Sequence, residues 1–366
     1  MGLALAFAAV ALAWATIGSL PGRRWVAVHL FTLGVLTPLI VAFSREQVRT
    51  LLRVVPRGDA AIRSLLGLGA LGVATGMVAA DVTAGSAPPA WPAATIAVGG
   101  TLSIAGVAVA LVGLLRARRE AGTETRFGWL VRAYVHAHAL FVAGGPLGAL
   151  LGAGLIPAEA YIAVRFGHLH ALPIGFAALT LLATVVLYGP MLLRAQISPD
   201  AEVAARRWLP RASLGAVLAI VGLLARALPA PVGRLAGGLA AAGLAVVAIT
   251  AGVTLRHLGA IVARKRGASP LVGVLLTWAI VWLTIALAAD AVVVATGAWR
   301  YLDAVGTVAL VGAFAQAIVA TLTHVLTMYL PRVRRLRVYP RLDAVPVWLT
   351  VLPQLALAAW AVTLLR

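Results

Sequence analysis

Four of the chain's seven histidines come as His-x-His pairs: His136 and His138 in "RAYVHAHALFVAGG", His168 and His170 in "RFGHLHALPIGF". Imidazole is the usual protein ligand of haem iron, copper and zinc. An α-helix turns about 100° per residue, so positions i and i+2 face nearly opposite ways. Neither pair can chelate one ion, but each can serve two sites, one on either side of its helix. His29 and His324 lie alone in two further apolar runs, and His257 stands beside Arg256 at the end of another. Sorted by depth, these residues suggest two sites. An outer one would use His29, His168 and His170, and an inner one His136, His138 and His324. These six histidines are the candidate metal or haem ligands. Arg165 lies one turn before His168, and Arg132 one turn before His136. An arginine so placed can pair with a haem propionate or snorkel to a lipid headgroup. Zinc fits less well, because no carboxylate stands near the pairs to orient them. Asp290 is the one carboxylate well inside an apolar run, and Gln316 and Tyr188 are further hydrogen-bonding groups.

The elements that must carry these residues are membrane spans. Hydrophobic residues make up 62% of the 366, and charged residues only 11%, a balance outside the range of soluble domains. Backbone polar groups cannot go unpaired in lipid, and the runs lack the alternation of barrel strands, so the spans are expected to be helices. The fold class is all-α, a polytopic bundle with eleven transmembrane helices: 2–20, 25–44, 62–84, 90–115, 128–155, 159–192, 211–229, 232–256, 270–296, 304–329 and 345–365. The longest, 159–192, carries Pro173 and Pro190 as kink points. Residues 1–366 read as a single transmembrane domain, with no internal repeat beyond the histidine pairs.

The net charge is +19, yet its distribution argues for a membrane and against a nucleic-acid partner. Of the 30 basic residues, 22 fall in alternate connections, around Arg45–Arg63, Arg116–Arg126, Arg194–Arg211, Arg256–Arg266 and Arg332–Arg341. The positive-inside rule then places the N-terminus in the cytoplasm and the C-terminus outside, with Arg23 and Arg24 as exceptions. The first run lacks a basic flank and a small-residue cleavage site, so it is expected to be a retained helix. Cysteine is absent, which excludes disulfides, thiolate ligands and cysteine-held iron–sulfur clusters. Lys265 stands alone against twenty-nine arginines. With the richness in Ala, Gly and Val, that composition suggests a GC-rich bacterial genome and hence a bacterial inner (cytoplasmic) membrane.

The stretch "HALPIGFAALTLLATVVLYGPMLLR", from His170 to Arg194, resembles a helix of the NnrS-like, haem–copper-type membrane proteins. That group includes the membrane regions found ahead of copper nitrite reductase or multicopper oxidase domains. The likeness lies in a histidine, the pair Gly175–Phe176, the pair Leu179–Thr180, and Pro190 before Leu193–Arg194. "HLFTLGVLTPLIVAFS" from His29 and "LVGAFAQAIVATLTHVLTMYLP" resemble two further helices of the group. The resemblance covers about seventy residues. It implies a bundle distantly similar to haem–copper oxidase subunit I, in which a His-x-His helix gives one ligand to each of two haems. The adjacent His-His copper pair of the oxidases is missing, and "SREQ" stands where a second histidine is expected after the early helix. The expected function is a haem-binding integral membrane redox protein, with haem b as cofactor and copper as the second candidate. It would serve respiratory electron transfer or nitric oxide and small-gas chemistry, with a redox protein or quinol as partner. The alternative is a proton-coupled or metal transporter or channel lined by the intramembrane histidines and Asp290.

Overall fold

The computed structural model describes all residues except 1, 18–19, 21–22, 85–89, 123–124, 265–270, 329–346 and 364–366. Lys265, Arg266 and the basic stretch Arg332–Arg341 lie outside the described residues. Every described element is helical, as the apolar composition requires. The helices are α1 (Gly2–Thr16), α2 (23–52), α3 (Asp59–Val82), α4 (Trp91–Ala121), α5 (Gly128–Gly152) and α6 (158–192), followed by α7 (Pro199–Ala225), α8 (Val232–Arg264), α9 (Leu271–Thr296), α10 (299–328) and α11 (Val347–Thr363). Among the described residues nine helices, α2 to α10, are long and apolar enough to cross a membrane; α1 and α11 are shorter apolar helices. Several helices outrun the expected spans. Thus α2 continues to Leu52 and α7 begins at Pro199, twelve residues before the span expected there. Hydropathy marks only the hydrocarbon limits, whereas a charged helical end persists in the headgroup region. The first turn of α7, for example, carries Asp200 and Glu202.

Three helices change winding along their length. π-helical segments occupy Leu30–Leu36 of α2, Ala171–Ala178 of α6 and Val308–Ala315 of α10. π turns inside α-helices are rare and often mark functional sites. Here they recur at every fourth helix, and the glycine is the fifth residue of each: Gly34, Gly175 and Gly312. Each of these glycines receives a large side chain of the preceding helix. A Cβ on Gly34 would lie 2.5 Å from Phe7 of α1, one on Gly175 3.0 Å from Leu140 of α5, and one on Gly312 2.8 Å from Trp282 of α9. The next two helices pack backbone to backbone. In α3 and α4 a Cβ on Gly72 would lie 3.0 Å from the Cα of Gly99, and in α7 and α8 one on Gly222 would lie 2.5 Å from the carbonyl of Ala236. These features lie in winding and close approach, which hydropathy does not register.

The chain divides into two compact units: Met1–Thr180 with Leu223–Pro229, and Leu181–Gly222 with Ala230–Arg366. The first unit holds the paired histidines. In it α5 packs directly on α6, where Gly144 admits the methyl of Ala171. The buried guanidinium of Arg45, at the end of α2, fixes the α2–α3 connection. It donates to the carbonyls of Pro56 (3.0 Å) and Arg57 (2.8 Å) and to the Asp59 carboxylate (2.6 Å). In the second unit a buried polar cluster ties three helices. Trp282 Nε1 of α9 donates to Gln354 Oε1 of α11 (2.5 Å), and Gln316 Nε2 of α10 donates to the same oxygen (2.8 Å). Lipid competes poorly for such groups, so interhelical hydrogen bonds and close small-residue packing hold the bundle.

Candidate functional site

Three of the candidate imidazoles are held by one device. The ring Nδ1 of His29 lies 2.8 Å from the carbonyl of Trp25, that of His138 2.7 Å from Tyr134, and that of His170 2.8 Å from Phe166. A carbonyl can only accept, so Nδ1 carries the proton in each, and Nε2 carries the lone pair. That tautomer, with Nδ1 tied to the backbone, is the usual preparation of a histidine that ligates through Nε2. His29 and His170 share a second feature: each immediately precedes a π segment. Thr307 occupies the corresponding place before the third π segment.

One contact joins α2 and α6. The Arg165 guanidinium of α6 lies 5.1 Å over the ring of Trp25 of α2, a cation–π contact. His29 lies four residues beyond Trp25, one turn along the same face, and His170 five beyond Arg165, about 140° round α6 from it. Trp25 also stands beside His29, with ring centroids 6.4 Å apart.

The paired partners point elsewhere, as their helical spacing requires. His168 turns onto α5, where Nδ1 donates to the carbonyl of Gly144 at 3.1 Å. Its ring fills the space that a side chain at Gly148 would take. His168 also lies within electrostatic reach of His29. His138 is fully buried on α5, edge-on to Phe176 at 5.3 Å, with Ser44 Oγ 3.4 Å from its Nε2. That hydroxyl also donates to the carbonyl of Val41 (3.1 Å), and one proton cannot serve both fully. His136 and Arg132 are exposed on the opposite face of α5. His324 belongs to the second unit and is half-buried on α10, and Asp290 is buried on α9.

Among the described residues no three histidine or carboxylate side chains converge as a metal-ion site. A haem asks less of the protein, since the porphyrin supplies four nitrogens and the chain one or two axial imidazoles. His29 and His170, each prepared at Nδ1, fit that demand, and Arg165 is a cation that a propionate could pair with. Sequence reasoning found these residues but missed Trp25, whose ring meets Arg165 and stands beside His29; an aromatic one turn before His29 was the available signal. No family model, curated protein or solved structure matches the chain.

Proposed function

We propose that the protein is an eleven-span inner-membrane redox protein of bacterial type, with its N-terminus in the cytoplasm, that binds haem b between α2 and α6. His29 and His170 would hold the haem iron through Nε2. The backbone bonds at Nδ1 keep the tautomer fixed and orient both rings. Arg165, with Trp25 beneath its guanidinium, would pair with a propionate. His168 braces α6 against α5, and His138 backs the site through Phe176. When bound, the haem supplies one-electron chemistry to a quinol or redox protein and to a small gas such as nitric oxide. The observation that supports this reading is the device that His29 and His170 share, an Nδ1 tied to the backbone carbonyl four residues back at the start of a π segment. A pyridine haemochrome assay on the purified chain tests it, together with metal analysis. About one haem b per chain and no stoichiometric copper is the expected result; copper or zinc without haem would replace the reading with a metal protein or transporter.

A further inference from the structure

In the second unit, the exposed side of α7 changes character along one stripe. Arg207, Arg211, Leu214, Leu218 and Val221 follow one another at intervals of three or four residues, so they share one face of the helix. All five are exposed. The first two are cations and the other three are hydrocarbon. The change falls between residues 211 and 214, where the apolar run of α7 begins. Such a stripe matches a phospholipid end to end. The headgroup meets the arginines, and an acyl chain meets Leu214, Leu218 and Val221.

The two arginines suit a phosphate. They stand one turn apart, about 6 Å along the helix, a spacing that the oxygens of one phosphate can bridge. Arg211 is steadied from within the helix: its guanidinium lies 5.5 Å over the ring of Trp208, and its Nη1 donates to the carbonyl of Arg207. Arg206 turns instead to Glu202, at 2.8 Å. Asp200 shares the stripe but stands seven residues before Arg207, about 10.5 Å farther from the apolar run, where salt screens much of its field. Val203, also exposed, lies between them. The latter part of α8 faces the first half of α7 and adds Arg256 and Arg264, and Arg194 follows α6. This end of the second unit thus carries six described arginines, and the only carboxylates between residues 181 and 264 are Asp200 and Glu202. A choline or ethanolamine headgroup would bring its own cation into that field, whereas a glycerol headgroup brings none.

We propose that this stripe is a binding site for an anionic phospholipid of the bilayer, with the phosphate between Arg207 and Arg211 and one acyl chain along Leu214, Leu218 and Val221. The site rests on the membrane fold and not on the haem reading. The test is native mass spectrometry of the full chain released from nanodiscs made of equal parts phosphatidylglycerol and phosphatidylcholine. Phosphatidylglycerol is expected to stay bound with about tenfold preference. Arg207→Gln combined with Arg211→Gln should lower its retention about tenfold, as for loss of two cations at the membrane surface. Arg116→Gln combined with Arg119→Gln removes two exposed charges from α4 and should leave retention unchanged. A phosphatidylglycerol with a photoreactive group beside its phosphate should label residues 203–214 of the unaltered chain, a readout that does not depend on any variant folding. Equal retention of the two lipids, undiminished retention in the α7 double variant, or an equal loss in the α4 double variant would each overturn the proposal. So would labelling confined to other helices, or displacement of the lipid by inorganic phosphate.

Discussion

At the scale of residues, the two members of each His-x-His pair do different work. His170 and His138 are buried and back-bonded to their own helices, whereas His168 reaches to α5 and His136 is exposed. The opposition of i and i+2 was legible from helical geometry alone. Which member turned inward was not, because it depends on where α5 and α6 meet. His168→Ala is therefore expected to leave haem content unchanged while lowering thermal stability by about 1 kcal/mol, the worth of one interhelical hydrogen bond. Thermal unfolding followed by haem absorbance would check both halves; loss of haem with unchanged stability would make His168 the ligand instead. Arg45 shows a different misreading. By charge it belonged to the cytoplasmic basic set, yet its side chain is buried and satisfies two carbonyls of the following connection. Arg45→Met should cost roughly 2–4 kcal/mol, since those carbonyls and Asp59 lose a charged donor. A loss under about 0.5 kcal/mol, as for an ordinary surface substitution, would show the guanidinium to be incidental.

At the scale of elements, the π segments were invisible to hydropathy, although the spacing His-x4-Gly stands in the sequence at His29–Gly34 and again at His170–Gly175. A uniformly apolar helix gives no periodic contrast by which a change of winding could be noticed. The glycines matter through close approach: at each, the preceding helix inserts Phe7, Leu140 or Trp282. Gly34→Val and Gly175→Val should each destabilise by about 1–3 kcal/mol through overpacking and reduce haem retention, because the histidine stands at the start of the same segment. Gly238→Val, at a helix position with open space around it, is the matched control. Equal stability of all three variants would remove the π segments from the account.

For the whole molecule, the class was the most legible feature: a chain this apolar can only be a membrane bundle, and among the described residues nine long apolar helices bear that out. Span ends were less legible because charged helical turns extend past the hydrocarbon. Orientation rests on the basic connections. Reporter fusions after Thr83 and after Arg264 are expected to read outside and inside respectively. The same reading from both would contradict the topology.

The visible spectrum of the purified protein tests the pairing of His29 with His170 most directly. The wild type, as isolated or after haem reconstitution, is expected to show the Soret and α bands of a low-spin bis-imidazole haem. His29→Ala and His170→Ala should each lose the low-spin signature while still inserting and purifying, and His136→Ala should keep it. A reconstituted wild type without a Soret band, or a low-spin spectrum that survives both substitutions, would contradict the assignment of haem to His29 and His170.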